Sequence, residues 1–157
     1  MKSWRSIFAS LCGWVASFFI AAMMLLTVAD VLLRAATNSP IRGALEIVEL
    51  LLAASFFLAL PAVFLREENI VVDLIDPIAP RSVPVLKRAA LAISAFVLVI
   101  MATQGWLAAK DTLVFGDVTS DLSLPKILYW TPVLAGLILS ALAALGMLFQ
   151  RSRKTDS

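Results

Sequence analysis

Four long apolar stretches, at about 7–31, 44–65, 88–109 and 127–149, alternate with short polar connections along the chain. A helix needs roughly 20 mostly apolar residues to cross the hydrocarbon of a bilayer, so each stretch predicts one transmembrane span. The first begins behind Lys2 and Arg5, as a signal peptide would. Its apolar run is longer than the roughly 7–15 residues of a signal core and predicts a retained span instead. The expected fold is an all-α integral membrane protein whose 157 residues form a single four-span domain.

The connections differ in character. The link 35–42 contains Asn38, Ser39 and Pro40, a turn composition. The connection 66–87 mixes charges with Ile70, Val71, Val72, Leu74, Ile75 and Ile78 and is interrupted by Pro77, Pro80 and Pro84. It is too short and too charged to cross, and its pattern predicts a short segment lying along the membrane surface. The three prolines read most simply as helix breakers, and Asp73 and Asp76 as helix caps or as groups facing a partner. The connection 110–126 carries Asp111, Asp117 and Asp121 with the turn formers Gly116 and Pro125. Tyr129 and Trp130 then stand where an aromatic belt is expected.

Charge orients these spans. Of thirteen Lys and Arg residues, Lys2, Arg5, Arg66, Arg81, Lys87, Arg88, Arg151, Arg153 and Lys154 fall on one side, and Arg34, Arg42, Lys110 and Lys126 on the other. Cytoplasmic connections carry the excess of Lys and Arg. Both termini and the middle connection are therefore predicted inside a bacterial inner membrane. The hydrophobic content of 61% exceeds the roughly 45–50% of soluble domains. The net charge of +2 comes from the inner loops and suits anionic lipid headgroups better than nucleic acid.

Composition narrows the chemistry. The chain has no histidine, and Cys12 is its one cysteine. An intramolecular disulfide is excluded, and the usual ligands of zinc, haem and iron–sulfur centres are missing. No cofactor, metal or catalytic residue is expected, and Cys12 reads as a small buried hydrophobe. Two rows of small residues at four-residue spacing, Ala9–Gly13–Ser17–Ala21 and Gly136–Ser140–Ala144, would let helices approach closely. Such residues are also simply common in spanning helices.

The charges within the spans are the sharpest signal. Asp30 and Arg34 are four apart, share a helix face and are expected to pair at the outer interface. At about 100° per residue, Glu46, Glu49, Ala53, Leu60 and Phe64 fall on one face of span two. A charge at mid-bilayer costs at least about 2.5–3.5 kcal/mol on insertion scales, so intramembrane carboxylates are candidates for function. These two lie in the outermost turns, where water, the helix dipole and Arg42, four residues before Glu46, can offset that cost. A structural or intersubunit role is expected rather than ion transport. A dimeric multidrug exporter would keep its acidic residue within span one, whereas Asp30 sits at the outer edge beside Arg34. Pro61 should free the carbonyl of Phe57 and kink the inner end of span two.

Three clusters together resemble a known family. The first hairpin carries Arg34, Pro40, Gly43, Glu46 and Glu49 within RAATNSPIRGALEIVE, span two has Leu60–Pro61, and REENIVVD runs from Arg66 to Asp73. A weaker match is LSLP at 122–125, leading through Tyr129, Trp130 and Pro132 into span four. These features are similar to the small membrane subunit of tripartite ATP-independent periplasmic (TRAP) transporters. One departure is Asn69, where members often carry His, so no role needing a titratable group carries over there. The resemblance implies a scaffold subunit that supports ion-gradient-driven uptake of an organic acid. Its partners would be a large multi-span membrane subunit, a periplasmic substrate-binding protein and membrane lipids. It marks Arg34, Pro40, Gly43, Glu46, Glu49, Pro61, Arg66 and Asp73 as subunit-interface or structural positions. The alternative is a four-span structural or assembly subunit of another membrane complex, and a membrane enzyme ranks behind both.

Overall fold

A computed structural model describes residues 2–66 and 83–153. They form four helices: α1 (Lys2–Thr37), α2 (Ala44–Arg66), α3 (Val83–Phe115) and α4 (Ile127–Arg153). All four are long and apolar enough to cross a membrane. The surface segment expected between α2 and α3 falls on residues 67–82, outside the described residues, and Asp73 with it.

The helices overrun the apolar stretches because capping, not hydropathy, sets their ends. α1 continues to Thr37, where Asn38 turns left-handed (φ 54°). The Asn38 N–H returns to the Arg34 carbonyl at 3.0 Å, a cap that small polar residues adopt at little cost. α3 ends at Gly116 (φ 63°), with the Asp117 N–H reaching the Thr112 carbonyl at 3.2 Å. That six-to-one bond closes a Schellman turn. α3 also starts at Val83, five residues before the expected 88. Pro84 therefore does not break a helix but occupies the first turn of one, where its missing N–H has no intrahelical partner to lose.

In space the order is α1, α2, α4, α3: α1 packs on α2, α2 on α4 and α4 on α3. No other pair of helix backbones closes up among the described residues. The arrangement is an open row, not a closed bundle. At the α4 seam, Ala95 and Leu98 of α3 meet Leu137, Ala141 and Ala144, with Phe57 and Phe64 of α2 against them. At the other seam, Ala9 and Cys12 of α1 meet Ala62 of α2. Where α1 starts and α2 ends, the Arg5 guanidinium donates to the Leu65 carbonyl at 3.3 Å and contacts the Met147 sulfur. One side chain thus ties α1, α2 and α4 together.

The two rows of small residues fare differently. Gly136, Ser140 and Ala144 are all buried, and the Ser140 hydroxyl is satisfied by the Gly136 carbonyl at 2.7 Å. In α1 the buried apolar residues are Ala9, Cys12 and Ala16, while Ser17 and Ala21 are exposed. The seam follows a three-then-four spacing around α1, and Cys12 lies in it as the expected small hydrophobe.

Both helix prolines leave a carbonyl without its usual partner, and each has a local remedy. Pro132 cannot donate to the Leu128 carbonyl, which instead accepts the Thr131 hydroxyl at 2.8 Å. Pro61, buried inside α2, frees the Phe57 carbonyl, which faces Gly136 of α4. A Cβ at Gly136 would run into that carbonyl. The glycine's α-hydrogen stands in its place, as in the weak Cα–H···O contacts that recur between closely packed helices.

Candidate subunit-contact site at the start of the second helix

α2 begins where Gly43 adopts φ 69° and the Ile41 carbonyl accepts the Ala44 N–H at 3.2 Å. Glu46 therefore lies in the first turn, where free amides and the helix dipole favour a carboxylate. It does not pair with Arg42. Its carboxylate accepts the backbone N–H of Asp121 at 2.7 Å on one oxygen and that of Leu122 at 3.1 Å on the other. Its main-chain carbonyl accepts the Tyr129 hydroxyl at 2.7 Å. Glu46 is 9% exposed, so these bonds form largely out of solvent.

The loop that supplies those amides has structure of its own. Val118 and Pro125 form an isolated antiparallel bridge. The Leu124 carbonyl accepts the Thr119 N–H, and the Asp117 carbonyl accepts the Lys126 N–H, both at 2.9 Å. The Thr119 hydroxyl accepts the Leu124 N–H at 3.0 Å, and Ser123 takes φ 52° at the bend. This small hairpin turns the Asp121 and Leu122 amides toward Glu46. The Leu122 side chain then lies where a Cβ of Gly43 would be. Gly43 is required twice, for its left-handed backbone and for its missing side chain.

Asp30 organises the neighbouring corner. Arg34 pairs with it at 2.8 Å, as the spacing predicts. Its second oxygen accepts the Ile41 N–H at 2.7 Å, so the same carboxylate pins the link between α1 and α2. Asp30, Arg34, Pro40, Arg42, Gly43 and Asp121 line a cleft of about 710 Å³. Beside it, a second cleft of about 410 Å³ is bounded by Glu46, Glu49, Lys126, Tyr129 and Trp130. The Trp130 indole donates to the Thr112 hydroxyl at 3.1 Å, fixing the start of α4 against α3.

The two glutamates thus part company. Glu46 and Phe64 turn toward α4, while Glu49 is exposed and makes no hydrogen bond or ion pair among the described residues. Arg34, Pro40, Gly43 and Glu46 are gathered at the end where α1 finishes and α2 begins. Pro61 and Arg66 lie toward the opposite end of α2, and Asp73 is outside the described residues. Among the described residues no three His, Cys, Asp or Glu side chains come together in a way that could hold a metal. The Asp121, Leu122 and Ile41 amides are partners of these carboxylates that side-chain patterns do not display. The run LSLP begins at Leu122, so it marks the loop but not the Ile41 link.

This hub unites residues distant in sequence but close in one structural role. The family model for "Tripartite ATP-independent periplasmic transporters, DctQ component" matches residues 23–154. The chain belongs to that family. It is thereby a multi-pass membrane protein and the small membrane component of a TRAP transporter, a family of transporter subunits rather than of enzymes. The match takes in the whole hub of this DctQ component, from Asp30 to Trp130. No curated protein and no solved structure matches the chain.

Proposed function

We propose that this DctQ component is a scaffold for ion-gradient-driven uptake of an organic acid across a bacterial inner membrane. It binds a large multi-span membrane subunit that carries the substrate, and a periplasmic binding protein delivers that substrate. The observation that supports a scaffold is where its buried polar groups lie and what they do. Asp30 and Glu46 sit at the outer rim and hold backbone amides of this chain. Ser55 and Ser140 bond to carbonyls of their own helices. None of these groups is left over to lead a solute through the bilayer.

The test is reconstitution. Proteoliposomes holding this chain alone are expected to take up no organic acid, and uptake is expected once the large subunit and the binding protein are added. Transport by the lone subunit would sink the scaffold reading.

Both termini and the α2–α3 connection are placed in the cytoplasm by the excess of basic residues there. Reporter fusions at Asn38 and Thr119 should signal periplasm, and fusions at Ala79 and Asp156 cytoplasm. A periplasmic signal at Ala79 would overturn the orientation.

A further inference from the structure

α1 and α4 cover two flanks of α2, and no other described helix covers a third. At 3.6 residues per turn, Leu45, Leu52, Phe56 and Val63 fall within about 40° of one another on that flank. All four are exposed, Leu45 to 68% and Phe56 to 61%. An apolar ridge alone would suit lipid. This one is bracketed by two charges of opposite sign, Glu49 toward its outer end and Arg66 at its inner end. They stand 17 residues apart in α2, or about 25 Å along the helix. Among the described residues, neither makes a hydrogen bond or ion pair within the chain.

The direction of Arg66 is the telling detail. An arginine with lipid as its one neighbour extends toward the headgroups. Arg66 instead folds back along α1. Its guanidinium lies 4.0 Å from where a Gly13 Cβ would be, and it borders a pocket of about 290 Å³ with Ser10, Trp14 and Ser17. Arg5, two turns before Gly13, is already level with Leu65. The Arg66 head group is therefore turned inward, away from the inner surface, and rests in a groove opened by a small residue. Glu49 lies in the second turn of α2, below the outer rim.

We infer that this ridge is the docking face for one transmembrane helix of the large membrane subunit. That helix carries a carboxylate opposite Arg66 and a basic side chain opposite Glu49, about 25 Å apart along its length. The inference rests on the scaffold reading and adds the face, the spacing and the sign of the contacts. Opposite charges at the two ends also set the direction of the incoming helix, since a reversed one would place like charges together.

The test uses the subunits co-expressed and purified together in mild detergent. A photo-crosslinking residue in place of Phe56 is expected to join this chain to a single helix of the large subunit. Arg66→Glu should reduce recovery of the large subunit at least tenfold, Arg66→Gln and Glu49→Gln several-fold, and Arg66→Lys least. Each variant's own helix content and Tm should stay at wild-type values. Restoration of Arg66→Glu by an acidic-to-basic change in the crosslinked helix would identify the pair. Crosslinks to phospholipid alone, or wild-type recovery of the large subunit with Arg66→Gln and Glu49→Gln, would overturn the docking face and leave the scaffold reading standing. Failure of the wild-type chain to bind any large subunit would overturn both.

Discussion

Replacing Glu46 by Gln is expected to destabilise the isolated subunit, because hydrogen bonds to a charged acceptor are lost. Both carboxylate oxygens are engaged, one with the Asp121 amide and one with the Leu122 amide. Glutamine keeps one acceptor and turns its NH2 group against the other amide, so two donors face each other at a largely buried site. The loss should appear as a lower Tm in detergent and as faster hydrogen exchange at Asp121 and Leu122. Glu49→Gln should change neither, because its carboxylate holds no hydrogen-bond partner among the described residues. Protection of both amides at the wild-type level in Glu46→Gln would show that the clamp carries no weight.

The contrast separates two uses of acidic residues three positions apart on one helix. Glu46 is consumed in folding: it orders the hairpin 116–126 against the start of α2. Its effect on a partner subunit would be indirect, through the shape of this end of the helices. Glu49 is left for contact with something outside the chain. Co-purification measured with Glu46→Gln must therefore be read beside the stability of the subunit itself.

What the sequence made legible was local or periodic. Apolar length marks four helices, and a four-residue spacing predicts the Asp30–Arg34 pair that the structure contains. The partner of Glu46 was beyond that reach. Arg42 is near in sequence, but the carboxylate is met by amides 75 and 76 residues away. Backbone donors leave no mark in residue identity, and a loop hairpin must form before they point anywhere. The order of the row was hidden for a related reason. Hydropathy says that a helix is buried in lipid or protein, not which helix is its neighbour. In α1 the small residues occupy two adjacent tracks, and the track chosen was Ala9–Cys12–Ala16. That choice is made by the groove that α2 presents. Helix ends diverged from the apolar limits because Asn38, Pro84 and Gly116 act through backbone geometry.

Gly136→Ala is expected to open the seam between α2 and α4, at about 1–3 kcal/mol or more, the range for overfilling a packed interior. The nearest atoms to the added methyl are the carbonyl oxygen and carbon of Phe57, followed by its Cβ at 2.8 Å. Backbone atoms cannot swing aside as the tip of a side chain can, so the helices must separate. Separation also withdraws the glycine from the Phe57 carbonyl, which has no N–H donor because Pro61 stands four residues on. The two positions are thus coupled. In a Pro61→Ala background the Phe57 carbonyl regains a partner inside α2, so the polar part of the Gly136→Ala loss should shrink while the steric part remains. A double-mutant cycle on Tm in detergent reads that difference, with coupling within the usual 0.5–3 kcal/mol for residues in contact. Additive losses, within about 0.3–0.5 kcal/mol, would mean that Gly136 serves close approach alone and that the freed carbonyl plays no part in holding α2 to α4.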